Sequence, residues 1–189
     1  PVDAPVRPTL ADGLAVGRVG ERAFALAAPR VDRVVTVDEQ LLSLAVLRLL
    51  ELEKTSCEGA GAAALAAIMG AAGQDLKGLK VVLLLCGGNI DPTVLHRVID
   101  HGLAVDGRLW RFTATVSDRP GGMARLTQVI ADAGASVLEI NHDRAFSGPE
   151  VFSTTVEVTV ETADQDHIDA LNKQLHEAGF GVVPATGCH

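Results

Sequence analysis

The sequence lacks the features that mark several large protein classes. It has no run of basic residues, and its 189 residues carry a formal net charge of −8. A uniformly acidic chain is a poor candidate for binding nucleic acid or an anionic membrane through a basic face. No apolar run approaches the roughly 20 residues that span a bilayer, and the first residues show no signal-peptide pattern. We therefore expect a cytoplasmic protein that binds neither nucleic acid nor membranes.

Cysteine is scarce, and the common metal and nucleophile motifs are absent. The three cysteines, Cys57, Cys86 and Cys188, are an odd number that cannot form a disulfide framework and fits a reduced compartment. The six histidines show no HExxH spacing, and the sequence contains neither CxxC nor Gly-x-Ser-x-Gly. These absences give no basis for a metal site or for a serine-nucleophile hydrolase.

The composition that remains is globular, with 48% hydrophobic and 21% charged residues. It changes near residue 105, from Ala-, Leu- and Gly-rich helical patterns to β-branched strands that alternate with amphipathic helices. We predict one domain over 1–105, a second over 106–185 and a short tail over 186–189. The missing initiator Met raises the expectation that the chain is processed or is a fragment.

The first half reads as an α/β region. Segment 31–37 is rich in valine and is predicted to be a strand. Segment 80–86 is a continuous apolar run and is predicted to be a strand buried on both faces of a parallel sheet. Helices are predicted over about 39–54, over the Ala- and Gly-rich stretch 58–68, and over 92–102, where Pro92 occupies the first turn. The pattern therefore predicts a parallel sheet with helices packed against it.

The second half has a regular order of elements. Its strands are predicted over 109–116, 136–142, 151–161 and 180–183, and its helices over about 122–133 and 163–178. Within the third strand, Val156, Val158 and Val160 alternate with polar residues, which indicates one buried face and one solvated face. The order βαββαβ predicts a ferredoxin-like fold, with a four-stranded antiparallel sheet and both helices on one face.

Four segments could carry chemistry. Cys86-Gly87-Gly88-Asn89 follows the apolar run, where open α/β sheets bind ligands, although such a loop can equally be a plain turn. Glu58 precedes the small-residue helix and is either a site residue or a helix cap, and Asp12-Gly13 is either part of a site or a surface turn. In the second half, the loop with Asp118, Gly121, Gly122 and Met123 could offer helix N–H groups to a carboxylate, or it could simply connect.

Taken in order, these motifs resemble a known family. The set is TLADGLA over 9–15, VDRVVTV over 31–37, EGAGA over 58–62 and CGGNID over 86–91. It is similar to the C-terminal part of threonine/serine dehydratases, which are fold-type II pyridoxal-phosphate ammonia-lyases. Residues 107–185, with DRPG at 118–121 and EINHDR at 139–144, resemble the ACT domain that one branch of these enzymes carries.

The resemblance implies a chemistry and a set of cofactor contacts. The family converts threonine or serine to a 2-oxo acid and ammonia, with pyridoxal 5′-phosphate as the electron sink. By motif, Cys86 would lie beside the pyridine nitrogen, Gly87 and Asn89 would shape its loop, Glu58 would lie near the ring, and Gly13 would contact it through the backbone. The ACT domain implies an amino-acid effector such as isoleucine or valine at Asp118, Gly121, Gly122 and Met123, and a homo-oligomer.

One departure from the family pattern limits the catalytic reading. The lysine that forms the Schiff base belongs to an upstream segment, and none of Lys54, Lys77, Lys80 and Lys173 lies in such a context. The chain thus carries no catalytic residue of its own, would bind the cofactor fully only with an N-terminal part, and is expected to be inactive alone. Two alternatives stay open: a non-catalytic amino-acid-binding ACT module, and an oligomerisation segment without a ligand.

Overall fold

The computed structural model describes residues 1–142 and 153–185, which belong to two compact units, Pro1–Gly102 and Leu103–His189. The predicted start of the third strand at 151–152 and the tail with Cys188 lie outside the described residues. The predicted domain limits stay a prediction. Across the described part of the chain, every helix is too short or too polar to cross a membrane.

The first unit is mainly helical. After a 3-10 turn at Asp12–Leu14 come α1 (Glu21–Ala27), a 3-10 turn at Ala28–Arg30, α2 (Glu39–Leu52), α3 (Gly59–Met69), α4 (Ala72–Asp75) and the start of α5 (Pro92–Val105). Asp38 caps α2, because its carboxylate accepts a hydrogen bond of 2.7 Å from the Leu41 amide. The three longer helices therefore lie close to their predicted positions.

The core of the first unit lies between α2 and α3. The apolar face of α2 buries Leu42, Val46 and Leu49, and α3 contributes Ala62 and Ala66. Small residues on α3 allow its backbone to come near its neighbours, which brings the start of that helix close to other loops. This core thus fixes the position of the α3 N-terminus, where the candidate site lies.

Two strand predictions in the first unit are wrong. Segments 31–37 and 80–86 have no regular secondary structure, and the strands of the described residues form one sheet that lies wholly in the second unit. Most of their apolar side chains are open to solvent, with Val34 83% and Val82 94% exposed. A strand needs a hydrogen-bonded neighbour, and residues 1–142 and 153–185 supply none for either segment.

The second unit forms a complete antiparallel sheet. Its elements are β1 (Leu109–Ser117), α6 (Gly122–Asp132), β2 (Ser136–His142), β3 (Ser153–Glu161), α7 (Gln165–Glu177) and β4 (Gly181–Pro184), and the strand order is β2-β3-β1-β4. In the register, Phe112 lies opposite Val158 on β3 and opposite Pro184 on β4. The predicted βαββαβ arrangement is confirmed.

One face of this sheet is buried by both helices. Phe112, Val156 and Val158 on the sheet pack with Leu126 of α6 and Leu171 of α7, and all five side chains are fully buried. The opposite face is polar, with Arg111 of β1 donating a hydrogen bond of 2.9 Å to the Thr159 hydroxyl of β3. The predicted alternation along β3 is thus present over its described residues except at Thr159, which is buried on the polar face.

Candidate functional site

Three of the predicted site segments meet at the Glu58 side chain. Gly13 lies close to it, since a Cβ built on Gly13 would lie 3.8 Å from Glu58 Oε1 and 3.2 Å from Ala60 Cβ. Gly87 lies against the same carboxylate, because a Cβ there would overlap Glu58 Oε1 and lie 2.6 Å from Cδ. A backbone hydrogen bond of 3.1 Å from the Glu58 amide to the Gly87 carbonyl joins the two loops. The motifs at 13, 58 and 87 therefore form one locus.

The glycines of this locus are required by close packing. A Cβ on Gly59 would overlap the Leu10 carbonyl oxygen, and one on Gly61 would overlap the Cys86 carbonyl oxygen and lie 2.7 Å from Cys57 Sγ. Gly87 has φ of +91°, a conformation that favours glycine. Gly59 and Gly61 at the start of α3 are therefore glycines because the backbones of Leu10 and Cys86 pack directly against them.

The two described cysteines near this locus differ in exposure. Cys86 is exposed, whereas Cys57 is buried. Burial raises the pKa of the Cys57 thiol, and the nearby Glu58 carboxylate and Cys86 raise it further. Cys57 is consequently a neutral packing residue, and Cys86 is the thiol that a ligand at the surface of this locus can reach.

The rest of the CGGNID motif lies outside the contacts at Glu58. Asn89 is exposed. Gly88, directly before it, packs near Ser56, since a Cβ built on Gly88 would lie 3.1 Å from the Ser56 carbonyl oxygen. Asp91 begins α5: its carboxylate accepts hydrogen bonds from the Thr93 hydroxyl and the Thr93 amide, which lower the pKa of Asp91. Part of this motif therefore serves a helix start.

A residue that the sequence reasoning missed holds the Gly13 segment in place. The Glu39 carboxylate, in the first turn of α2, accepts hydrogen bonds from the Thr9 hydroxyl and, at 2.8 Å, from the Leu10 amide. The sequence shows only an acidic residue after a helix cap, which is common at helix starts. No local pattern indicates that this carboxylate binds a segment 29 residues away.

The chemistry of the donor set fits one side of a pyridoxal-phosphate site. The locus offers a carboxylate, an exposed thiol and glycine backbone that a flat ring can approach. No lysine takes part in the described contacts at Glu58, and Lys54 donates a hydrogen bond of 2.6 Å to the Glu51 carbonyl at the end of α2. Among the described residues, no group of three or more His, Cys, Asp or Glu side chains could hold a metal ion.

The predicted effector residues lie together between β1 and α6. Gly121 has φ of +96° with open space where a Cβ would be, while Gly122 is packed against the Ser117 carbonyl. Asp118 is half-buried, and Met123 packs against the core. The loop is tightened by a hydrogen bond of 3.1 Å from the Gly122 amide to the Arg119 carbonyl. The arrangement brings the four residues into one junction.

Comparison with known families supports the two-part reading. Residues 1–87 match the pyridoxal-phosphate dependent enzyme family, and residues 112–180 match the ACT domain. The chain therefore resembles part of a pyridoxal-phosphate dependent enzyme followed by an ACT domain. Both matches confirm the resemblance that the four ordered motifs indicate.

Two similar curated proteins carry the name L-threonine ammonia-lyase. The chain is 38% identical to the L-threonine ammonia-lyase of Thermotoga maritima over 93% of its own length and 43% of that protein. It is 39% identical to the L-threonine ammonia-lyase of Geobacter sulfurreducens, over 95% of the chain and 44% of that protein. A solved threonine deaminase from T.th. shares 38% identity over 46% of the chain and 29% of that structure, with a TM-score of 0.43. The chain thus spans less than half the length of these curated relatives.

Proposed function

We propose that this chain is the C-terminal portion of a threonine or serine ammonia-lyase, which deaminates threonine to 2-oxobutanoate and ammonia. In this proposal residues 1–105 form one wall of the pyridoxal-phosphate site and residues 106–185 form an amino-acid-responsive regulatory domain. The observation that carries it is the convergence of Gly13 and Gly87 on the Glu58 carboxylate. The similarity to L-threonine ammonia-lyases over more than nine tenths of the chain supports it.

Each residue at the wall has a distinct role in this proposal. Pyridoxal phosphate, when bound, supplies the electron sink for the elimination. Cys86 would place its thiol beside the pyridine nitrogen, while Glu58 would lie beside the ring. Gly13 and Gly87 would allow the ring to approach the backbone. A side chain at Gly87 would overlap the Glu58 carboxylate, and one at Gly13 would press on Ala60. Asn89 would shape the outer part of the Cys86 loop.

The regulatory half of the proposal rests on the β1–α6 junction. The N-terminus of α6 presents backbone N–H groups and the positive end of its dipole to a carboxylate. Asp118 would bind the amino group of the effector, and Met123 would contact the aliphatic side chain of isoleucine or valine. Homo-oligomerisation fits the edge strand β2, where Leu138 is 55% exposed.

The catalytic proposal can be tested by completing the enzyme. The 189-residue chain alone is expected to form no 2-oxobutanoate from threonine. A fusion that joins the upstream part of the Thermotoga maritima enzyme to this chain is expected to be active. In that fusion, Cys86→Ser should be mild, and Cys86→Asp should lower the rate because it places a charge beside the ring nitrogen. An active isolated chain, or a Cys86→Asp fusion as active as its parent, contradicts the proposal.

The alternative function is a non-catalytic amino-acid-binding module, and it is favoured by the completeness of the second unit. Calorimetric titration of isoleucine and valine into the whole chain, with Gly121→Val as the matched variant, tests effector binding. Binding by the chain together with an inactive fusion would favour the module. If neither amino acid binds at millimolar concentration, the sensor role is wrong. If Gly121→Val binds as well as the parent chain, the effector site does not lie at this loop.

A further inference from the structure

The backbone around Gly13 has few anchors of its own. Asp12–Leu14 is a 3-10 turn of three residues, and Asp12, Gly13 and Leu14 are all exposed. The turn itself gains little from burial, so its position depends on the residues before it, where Ala11 and Leu10 pack on the core of the first unit and hydrogen bonds hold the backbone. On its N-terminal side those bonds come from one carboxylate, Glu39.

Both oxygens of the Glu39 carboxylate are used. Oε1 accepts from the Thr9 hydroxyl, and Oε2 accepts from the Leu10 amide at 2.8 Å. The Thr9 hydroxyl in turn accepts a hydrogen bond of 3.1 Å from the Ala11 amide. The three residues that precede the turn are therefore tied to the first turn of α2. A carboxylate accepts stronger hydrogen bonds than a neutral acceptor, and two such bonds here act on adjacent residues.

The Leu10 backbone connects the Glu39 carboxylate with the candidate site, because it contacts both. Its carbonyl lies so close to Gly59 that a Cβ there would overlap it, and Gly59 directly follows Glu58. Three residues further on, Gly13 lies beside Ala60 and Glu58 Oε1. The chain from Thr9 to Gly13 thus runs over the α3 N-terminus, fixed by Glu39 at one end and ending at the Glu58 locus.

We propose that Glu39 is a positioning residue, whose bidentate hold on Thr9 and Leu10 fixes Gly13 against Glu58 at the cofactor wall. The relevance to the cofactor rests on the proposed function, but the positioning itself is a property of this chain. Glu39 does not touch the ring in this proposal. It acts through the Thr9–Gly13 segment, so its loss changes the position of Gly13 and leaves Glu58 and Cys86 chemically intact.

The test uses amide exchange and amide chemical shifts measured by NMR on the 189-residue chain. Glu39→Ala is expected to speed exchange of the Leu10 amide by about tenfold or more, and to shift the Gly13 and Glu58 amide signals. Glu39→Gln keeps one acceptor oxygen and should give an intermediate result. Thr9→Val removes one of the two donors, so it should add little to the effect of Glu39→Ala.

Asp38→Ala is the matched control, because it removes the helix cap one residue away and leaves the Glu39 carboxylate in place. Exchange at Leu49 in α2 reports whether that helix remains folded. Unchanged Gly13 and Leu10 signals in Glu39→Ala overturn the proposal, as does an equal effect of Asp38→Ala, which would reduce Glu39 to a helix-start residue. If the active fusion described above fails while these shifts appear, the proposed function falls and the positioning role stands.

Discussion

The two units of this chain bury their apolar residues to very different degrees. In the second unit the sheet and its two helices enclose side chains such as Phe112, Leu126 and Leu171 completely. In the first unit a smaller core centres on α2 and α3, while Leu84 in segment 80–86 remains 76% exposed. The comparison shows that apolar composition alone does not close a core, since backbone hydrogen-bonding groups must also find partners.

The largest expected effect is in the closed core of the second unit. Leu171→Ala should destabilise that unit by about 2–5 kcal/mol, because it opens a cavity where the packing cannot collapse. Trp110 is the single tryptophan and lies in this core, so its fluorescence during urea unfolding reports on the second unit.

The matched change in the first unit is Leu84→Ala, at a side chain that is already solvent-exposed. It should alter the stability of α2, measured by amide exchange, by less than about 0.5 kcal/mol. A cost at Leu84 as large as that at Leu171 would contradict the contrast between an open and a closed core.

A smaller effect is expected at the glycines of the candidate site. Gly61→Ala places a methyl group into the Cys86 carbonyl and 2.7 Å from Cys57 Sγ, which should cost about 1–3 kcal/mol of local stability. Gly20→Ala is the control, since Gly20 has φ of −61° and nothing within 4 Å of an added Cβ. Amide exchange around Glu58 measures the difference, and equal exchange in both variants would show that the loops are not seated on α3.

The two cysteines of the first unit should differ in alkylation rate by about tenfold or more, because the thiolate is the reacting form and one of them is buried. The raised pKa of Cys57 reduces its thiolate fraction at any pH below that pKa. Its rate should therefore keep rising at pH values where a free cysteine has already levelled off. Mass spectrometry of iodoacetamide-treated Cys188→Ser protein separates the two sites, and a faster Cys57 would contradict the burial.

The last comparison concerns helix caps, which occur in both units. Asp164 caps α7 by accepting a hydrogen bond of 2.9 Å from the His167 amide, as Asp38 caps α2 through the Leu41 amide. Replacing either by alanine should cost about 1 kcal/mol. Denaturation followed by Trp110 for Asp164→Ala, and α2 amide exchange for Asp38→Ala, measure the two costs. A markedly larger cost in one unit would show that its helix start has a further role.

Most of the second unit could be predicted because its signals are local. The alternation along β3 and the apolar spacing of Leu126 and Ile130 on α6 each specify one buried face. These two faces pack against each other in the core of the second unit. In the first unit, the apolar run 80–86 has the composition of a buried strand but no strand beside it in the described chain. Composition reports what a segment can do, whereas pairing depends on a neighbour distant in sequence.

At the candidate site, the sequence by itself identified Gly13, Glu58 and Gly87 as candidate residues, because short motifs mark positions that need a carboxylate or a backbone without a side chain. Their meeting at one carboxylate was decided by the tertiary structure, through the packing of α2 on α3. The same is true of Glu39, which reads as an ordinary helix-start acid until the fold brings Thr9 and Leu10 to its two oxygens. Hydrogen bonds between distant segments leave no periodic trace in the sequence, because they depend on where two backbones meet and not on the residues beside them.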